Sequence, residues 1–285
     1  MLLFFYGSAT IPLMKNILIF NDISGLGNCS MSANLPIFTH LGHYCMPVVT
    51  GCYSCQTGFS NFAVTPNPNT VDFARRIAAN ATPDAFCVGF CNDSATLNGV
   101  KTVVDDVLKG GCYLFVDPIM GDNGKLYPVF DADYVKVMKS LVSRADCISP
   151  NLTEACLLAD VDYFELTKYK GEADYLDRCK QTFAGFLIDV NVKTAVITGI
   201  SQGDEISNLV FDGKQINAVT TGRVDVEFSG TGDVFSSTLL GELLNGKTLL
   251  DSAVIAANLV SRSAAATTRA DYRFGIDFCK FLNTL

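Results

Sequence analysis

Short β-type runs alternate with longer helical patterns along most of this 285-residue chain. Two of the runs, residues 17–20 and 195–197, are apolar at every position, as strands are when helices cover both faces of a sheet. Strands joined by helices of this length pair in parallel through right-handed crossovers. The alternation therefore predicts an α/β fold of three layers, with a mostly parallel central sheet and helices on both faces.

The element boundaries follow from these patterns and from the turn residues between them. Strands are predicted over 16–21, 44–50, 85–90, 113–117, 146–149, 194–198, 208–211 and 215–220. Helices are predicted over 28–41, 70–81, 95–109, 132–143, 153–159, 172–191, 233–244, 249–268 and 275–282. The last two strands flank Asp212 and Gly213, which favours an antiparallel hairpin.

The chain shows no linker, so we expect a single domain over 14–285. Residues 1–13 are mostly apolar, but they lack a basic start and are too short to span a bilayer. We interpret them as an upstream extension that precedes a natural start at Met14.

Charge and cysteine content narrow the class of protein. The net charge is −8 without any basic cluster, which argues against nucleic-acid binding. The 11 cysteines are scattered through apolar runs, where thiols act as small buried hydrophobic groups. The lone CxxC spacing of Cys52 and Cys55 is weak support for zinc or redox chemistry. Reduced structural cysteines predict a cytoplasmic protein.

Polar residues end several of the predicted strands, and ligands of such sheets bind beyond the carboxyl ends of the strands. We therefore expect the functional site at that edge. The polar strand-end residues are Asn21, Asp22, Thr50, Asp117, Ser149, Asn151, Thr198 and Gly199.

The tetrapeptide Gly230-Thr231-Gly232-Asp233 opens an apolar helical run. The first N–H groups of a helix have no internal partner, so a glycine-lined helix start can hold an anion. A carboxylate there would repel a phosphate unless it has a task, and the obvious task is to take a proton from an attacking hydroxyl. The alternative is an Asp placed in the first turn for the helix dipole alone.

A second helix start, Asn151 to Glu154, follows Pro150. Asn and Glu three residues apart share one helical face. Their side chains could bind the water molecules that coordinate a magnesium ion, because this ion keeps most of its hydration shell when it binds nucleotides. They could equally form a capping arrangement, and the two roles do not exclude each other.

Three other patterns carry little weight. Residues 241–248 match the P-loop expression, but they begin inside a helical run rather than after a strand, so we reject the match. The sequence 24–27 lacks the third glycine of a dinucleotide loop. The two histidines, His40 and His43, fall in one helix-to-strand turn, which argues against a catalytic triad or a multi-histidine metal site.

Four segments together resemble a known family. Residues 230–233 and the apolar helix after them resemble the GTGD element of the ribokinase-like superfamily. Residues 116–127 resemble the DPVMGD segment of its vitamin-kinase branch, and 150–154 resemble that branch's PNxxE motif. Residues 21–27, with 57–59 downstream, resemble pyridoxal/pyridoxamine kinases. All four occur in the family's order.

The resemblance implies a ribokinase-like fold and ATP-dependent phosphorylation of the 5′-hydroxymethyl group of pyridoxal, pyridoxamine or pyridoxine. Asp233 would be the general base, and the amides of Gly230, Thr231 and Gly232 would stabilise the transferring phosphoryl group. Sugar kinases of this superfamily insert lid strands after the first strand. Here the chain leads from 27 directly into a helix, so no lid is expected.

The resemblance also assigns binding roles. Mg²⁺ and the phosphates would be organised by Asp117 and Glu154 together with Asn151. The nucleotide would be approached by Thr198, Gly199 and Thr221. The vitamin would be contacted by Asp22, Tyr53, Thr57 and Gly58. A homodimer is implied, and possible use of K⁺ near the anion hole.

Three alternatives stay open, one of which is a nicotinamide oxidoreductase, on the condition that the glycine loop at 25–27 binds a dinucleotide. Many pyridoxal kinases carry Ser where Asp22 aligns, and Asp22 with Ser24 and Gly25 leans toward the hydroxymethylpyrimidine kinases of thiamin synthesis. Such an enzyme would phosphorylate the pyrimidine twice. A non-catalytic vitamin- or nucleotide-binding module is the third alternative, although it would be expected to lack the base or the metal motif.

Overall fold

The computed structural model describes residues 13–107, 111–190, 192–226, 228–269 and 271–285. The strands are β1 (Asn16–Ser24), β2 (Tyr44–Tyr53), β3 (Val64–Pro66), β4 (Ala85–Val88), β5 (Tyr113–Val116), β6 (Gly121–Asp122), β7 (Lys125–Leu126), β8 (Cys147–Ile148), β9 (Thr194–Gln202), β10 (Glu205–Phe211) and β11 (Ile216–Gly222). The helices are α1 (Met31–His40), α2 (Thr70–Asn80), α3 (Ser94–Val107), α4 (Ala132–Val142), α5 (Leu152–Ala159), α6 (Tyr163–Thr167), α7 (Tyr175–Asp189), α8 (Thr231–Leu244) and α9 (Leu249–Ala266).

Nine strands form one sheet in the order β11-β10-β9-β8-β5-β4-β1-β2-β3. Neighbours from β9 to β2 are parallel. The two edges are antiparallel, with β10 and β11 on one side and β3 on the other. The predicted hairpin around Asp212 and Gly213 is β10–β11. The fold-class prediction is confirmed.

Helices cover both faces of this sheet. On β1, Leu18 and Phe20 belong to one apolar cluster, and Ile17 and Ile19 belong to another, because successive strand residues point to opposite faces. Helices α2 to α7 contribute to the first cluster, and α1, α8 and α9 to the second. Only loop residues 25–30 separate β1 from α1, so no lid strand is inserted there, as predicted.

Several boundaries differ from the sequence predictions. Strand β9 continues to Gln202 and does not end at Thr198. It loses its parallel partner near Thr198, which bridges to Asn151, but its outer residues still pair with β10. The predicted helix over 275–282 is wrong, since the chain forms short 3₁₀ turns at Tyr272–Phe274 and Phe278–Thr284. The patterns also miss β3, the β6–β7 hairpin and α6, which are too short to show a period.

Some predictions fall outside the described residues. These are the upstream extension over 1–12 and the ends of two helices, at 108–109 and at 191.

The P-loop match is a decoy, as predicted. Its first glycine lies inside α8, and Gly246 follows the end of that helix with φ 87°. Thr248 caps α9, its hydroxyl accepting the N–H of Asp251 at 3.1 Å.

Among the described helices, none combines the length and the apolar character needed to cross a membrane. All the cysteines are free thiols, and all but Cys45, Cys52 and Cys279 are buried.

Candidate active site

The first turns of α8 lie across the carboxyl ends of three strands. Asp233 accepts a hydrogen bond from Asn21, near the end of β1, at 3.2 Å. Ser236, one turn later, donates to Asp117, directly after β5, at 2.5 Å. The Ser236 hydroxyl also lies 3.0 Å from the hydroxyl of Ser149, directly after β8. Three of the residues expected at the sheet edge, Asn21, Asp117 and Ser149, are therefore gathered around one helix start.

Gly230 is the N-cap of α8 and has φ 77°. A Cβ at this position would lie 2.1 Å from the backbone oxygen of Asn28, so glycine is needed both for the conformation and for the close approach. With no side chain at the N-cap, no side-chain oxygen of this residue takes the helix's first N–H groups. The Thr231 and Gly232 amides therefore receive no cap from this residue, and the anion site predicted there stays a prediction.

Asp233 is the third residue of α8 and only 9% exposed. Burial, with a further contribution from nearby Asp22, raises the pKa of its carboxyl to about 6. Hydrogen bonds from the Ser30 backbone N–H and from Asn21 act in the opposite direction. A carboxylate with a pKa near the working pH is suited to accept a proton.

A cavity of about 160 Å³ opens beside Asp233. Of the predicted residues, it is lined by Asp22, Tyr53, Thr57, Gly230 and Asp233. Gly58 does not line it, and its N–H donates to the side chain of Gln56 at 2.7 Å. The cavity thus places two carboxylates, Asp22 and Asp233, beside one glycine-lined helix start.

Asp117 and Glu154 form a second, deeper pair of carboxyls. Burial raises the pKa of Asp117, and Asp233 adds to this effect. Burial also raises the pKa of Glu154 well above its usual range, with Asp117 as the next cause. Both oxygens of Glu154 accept backbone N–H groups, from Met120 at 3.0 Å and from Asn151 at 2.8 Å.

Asn151 and Glu154 form a complete capping box. The Asn151 side chain accepts the Glu154 N–H at 2.9 Å, and the Glu154 carboxylate accepts the Asn151 N–H in return. The Asn151 amide also donates to the Gly121 backbone oxygen at 2.9 Å, which ties α5 to the β6–β7 hairpin. The capping alternative is therefore present in the structure, whatever further role the pair has.

Within the described residues, no three His, Cys, Asp or Glu side chains converge as a metal site. Asp117 and Glu154 offer two carboxyls rather than a cage. Such a pair fits Mg²⁺ that arrives on nucleotide phosphates and retains its water, since this ion seldom uses an all-protein site.

The three predicted nucleotide residues lie on outer strands. Thr198 and Gly199 occupy β9, where Gly199 is exposed and its N–H donates to the Asn208 side chain at 3.3 Å. Thr221 lies on β11, two strands beyond β9. None of these three lines the cavity beside Asp233. Any role of theirs therefore belongs to a ligand that extends along the sheet edge.

Sequence reasoning missed several residues of the cavity wall. Cys29 lines it, and burial with Asp233 and Asp22 nearby raises the pKa of its thiol to about 12, so it stays protonated. Ser30 has φ 52°. Its hydroxyl forms a hydrogen bond with the Asp22 carboxyl, and its backbone N–H donates to the Asp233 carboxyl. No local pattern indicates a positive φ at a serine.

Gln56 is a third residue that the sequence did not reveal. Its side-chain amide donates to the Ser229 hydroxyl at 3.1 Å and to the Arg273 backbone oxygen at 3.2 Å. Both Gln56 and Ser229 line the cavity. Gln56 therefore connects the wall near β2 to the chain before α8 and to the C-terminal segment.

Comparison with known proteins gives consistent results. A protein of Staphylococcus aureus (strain COL) named "Putative pyridoxine kinase" is 23% identical over 253 residues, which cover 87% of each chain. The crystal structure of pyridoxal kinase from Lactobacillus plantarum is 26% identical, with a TM-score of 0.78 and coverage of 95% of this chain and 96% of that one.

A third relative carries a different name. It is a "putative phosphomethylpyrimidine kinase" from Bacteroides thetaiotaomicron, in a crystal form with pyridoxal. It is 26% identical, with a TM-score of 0.84 and coverage of 95% of both chains.

The fold and the site define a kinase of the ribokinase-like type, in its vitamin-kinase branch. The phosphomethylpyrimidine kinase family model matches residues 26–276, and the chain belongs to that family.

Proposed function

We propose that this protein transfers the γ-phosphoryl group of ATP to the 5′-hydroxymethyl group of a B6 vitamer: pyridoxal, pyridoxamine or pyridoxine. The observation that carries the proposal is the position of Asp233, buried at a glycine-capped helix start and open to a small cavity. Asp233 takes the proton of the vitamer's alcohol. The amides of Gly230, Thr231 and Gly232 stabilise charge on the phosphoryl group as it is transferred.

The cavity residues bind and orient the vitamer. Its volume of about 160 Å³ suits a small flat heterocycle. Asp22 offers a carboxylate to a ring N–H or a ring hydroxyl, and Tyr53 supplies an aromatic wall. Thr57 lines the cavity, and Gly58 follows it in the loop after β2.

The nucleotide follows the sheet edge from Asp117 toward β11, past Thr198, Gly199 and Thr221. Asp117 and Glu154, together with Asn151, would hold a hydrated Mg²⁺. The bound ion supplies neutralisation of phosphate charge. Burial currently raises the pKa of both carboxyls, and a cation between them would favour their charged forms. Pyridoxal kinase from Staphylococcus aureus, which shares this fold, has been solved in complex with ADP and with AMP-PCP, and this supports nucleotide binding.

A second candidate is hydroxymethylpyrimidine kinase, because the matching family model carries the phosphomethylpyrimidine kinase name. One assay separates the two candidates. ATP is offered with pyridoxal, pyridoxamine, pyridoxine and hydroxymethylpyrimidine side by side, and the products are resolved by mass. A B6 5′-phosphate as the main product supports our proposal. A pyrimidine diphosphate identifies the alternative, and no product with any acceptor indicates a binding module.

The proposal extends to assembly and location. A homodimer and use of K⁺ near Gly230–Gly232 follow from the family resemblance, and free thiols throughout the chain fit a reducing cytoplasm. Light scattering tests the dimer, and replacement of K⁺ by tetramethylammonium in the assay tests the cation. A monomer, or an unchanged rate, would remove the corresponding part of the proposal.

A further inference from the structure

Asn21 makes four hydrogen bonds that use its whole amide. Its Oδ1 accepts the backbone N–H groups of Asp22 and Phe90, each at 3.0 Å. Its Nδ2 donates to Asn34 Oδ1 at 2.8 Å and to Asp233 Oδ1 at 3.2 Å. A neutral amide offers two donor hydrogens and two acceptor lone pairs, so the capacity of this side chain, only 2% exposed, is filled.

The orientation of this amide follows from its surroundings. Backbone N–H groups can only donate, so the oxygen of Asn21 must face Asp22 and Phe90. The nitrogen must then face Asp233. The carboxylate that is proposed to accept the proton is thus held by a donor whose own direction is set by the main chain.

A second set of bonds supports the same helix turn from α1. Asn34 donates through Nδ2 to Ser237 Oγ at 2.7 Å, and Ser237 donates to the backbone oxygen of Asp233 at 2.7 Å. Asn34 and Ser237 are both buried. Asn21 also depends on Gly89 for space, because a Cβ at position 89 would lie 2.8 Å from the side-chain nitrogen of Asn21.

We propose that Asn21 is a positioning residue that fixes the Asp233 carboxylate for phosphoryl transfer without itself contacting the substrate. This rests on the proposed function of Asp233. Asn21 does not line the cavity, whereas Asp233 does. Its bond occupies Oδ1 of Asp233 and opposes protonation there, because an N–H donor favours the charged form of a carboxylate.

The other titratable groups around Asp233 are two carboxyls, two thiols and one phenol. They come from several elements: Asp22 on β1, Cys29 before α1, Cys87 on β4, Asp117 after β5 and Tyr127 after β7. The two nearby carboxylates oppose the charged form of Asp233. The bonds from Asn21 and from the Ser30 N–H counter them.

The test replaces Asn21 with valine, which suits a strand and cannot donate. We expect kcat at pH 7 to fall by about tenfold and the acid limb of its pH profile to move up by roughly one unit. The KM values for vitamer and nucleotide should stay within about twofold of the wild type. Asn21→Ser, which is smaller and cannot reach Asp233, serves if the valine variant fails to fold.

The matched control is Ser237→Ala, which removes a buried bond of the same network but touches Asp233 only at its backbone oxygen. It should lower the melting temperature while leaving the acid limb in place. An equal displacement of the limb in both variants would show a structural role for Asn21 and overturn the proposal. An unmoved limb in the Asn21 variants would overturn it as well.

A measurement that does not depend on turnover separates this proposal from the proposed function. Aspartate is labelled with ¹³C at the side-chain carboxyl, Asp233→Asn assigns the Asp233 signal, and the signal is titrated. The midpoint should be higher in Asn21→Val than in wild type. If no vitamer is phosphorylated but the midpoint moves, only the proposed function fails. If the vitamer is phosphorylated but the midpoint is unchanged, only the role of Asn21 fails.

Discussion

The starts of α8 and α5 each carry an acidic residue at the third helical position, yet its side chain is used differently in the two helices. Asp233 and Glu154 are each the third residue of their helix, and both are buried with a raised pKa. At α5 the N-cap is Asn151, and the acid bonds back to it. At α8 the N-cap is Gly230, which has no side chain to share.

The difference shows how the N-cap residue decides what an acid in the first turn can do. Glu154 has both oxygens bound to backbone N–H groups, so much of its bonding capacity serves the fold. Asp233 faces a cavity, and its hydrogen-bond donors are the Asn21 side chain and the Ser30 backbone N–H. A glycine N-cap thus leaves both the amides and the carboxylate available to a ligand.

The largest expected effect is that of Asp233→Asn. Loss of the proposed base should lower kcat about 10³-fold, while the melting temperature rises because a buried carboxyl becomes neutral. Asp251→Asn is the matched control. Asp251 is also the third residue of its helix, α9, but it is exposed and bonds to Thr248. Its loss should leave kcat unchanged, and steady-state assays of both variants check this. Wild-type turnover in Asp233→Asn would remove Asp233 from the chemistry.

Gly230→Ala should have the next largest effect. The new Cβ would meet the Asn28 backbone oxygen, and we expect a loss of about 3 kcal/mol or more in the free energy of unfolding. Gly246→Ala, at the other end of α8, shares a positive φ but has no atom within 4 Å. It should cost only about 1 kcal/mol. Urea unfolding measures both. Equal losses would show that strain in φ, not the close approach, requires glycine at 230.

Stability should fall as the pH rises through the range in which these acids ionise. The folded-state pKa of Asp233 is about 6, above its ordinary value of 3.8, and that of Asp117 is raised as well. Between those values the folded protein binds more protons than the unfolded chain, so the free energy of unfolding decreases with pH. We expect a decrease of roughly 2 kcal/mol from pH 5 to pH 8 without ligand. Urea unfolding at both pH values measures it, and Asp233→Asn should flatten the trend. A wild-type stability that rises over this range would contradict the assignment.

Glu154→Gln should have the smallest effect of the four. Glutamine can keep the capping box, but its single oxygen cannot readily serve both Met120 and Asn151 as the carboxylate does. We expect a loss of about 1–2 kcal/mol in the free energy of unfolding and a decrease in kcat of at most about tenfold. Unfolding curves and magnesium titrations of the rate measure these. A loss of rate comparable to that of Asp233→Asn would show that the acids at the two helix starts contribute equally to catalysis.

Much of the fold and the first layer of the site could be predicted from the sequence. Apolar runs and turn residues are local, so the parallel sheet, the helix start at 230–233 and the capping box at 151–154 were accessible. The contacts that tune the site are not local. Asn21 and Asp233 are 212 residues apart in the chain, and nothing near either indicates the other. The positive φ of Ser30 is imposed by tertiary structure, and short elements such as β3 show no period.

The hydrogen bonds of Gln56 have a consequence for ligand access to the cavity. One amide joins the loop after β2, the residue before Gly230, and Arg273 near the C-terminus. Arg273 also stacks on Phe59, 4.4 Å from the ring centre. The C-terminal segment is thereby bonded to a residue of the cavity wall. Under the proposed function, the vitamer binds beside a Gln56 side chain that is bonded to a residue more than two hundred positions downstream, so shortening the C-terminal segment should change the rates of ligand binding and release rather than the chemistry.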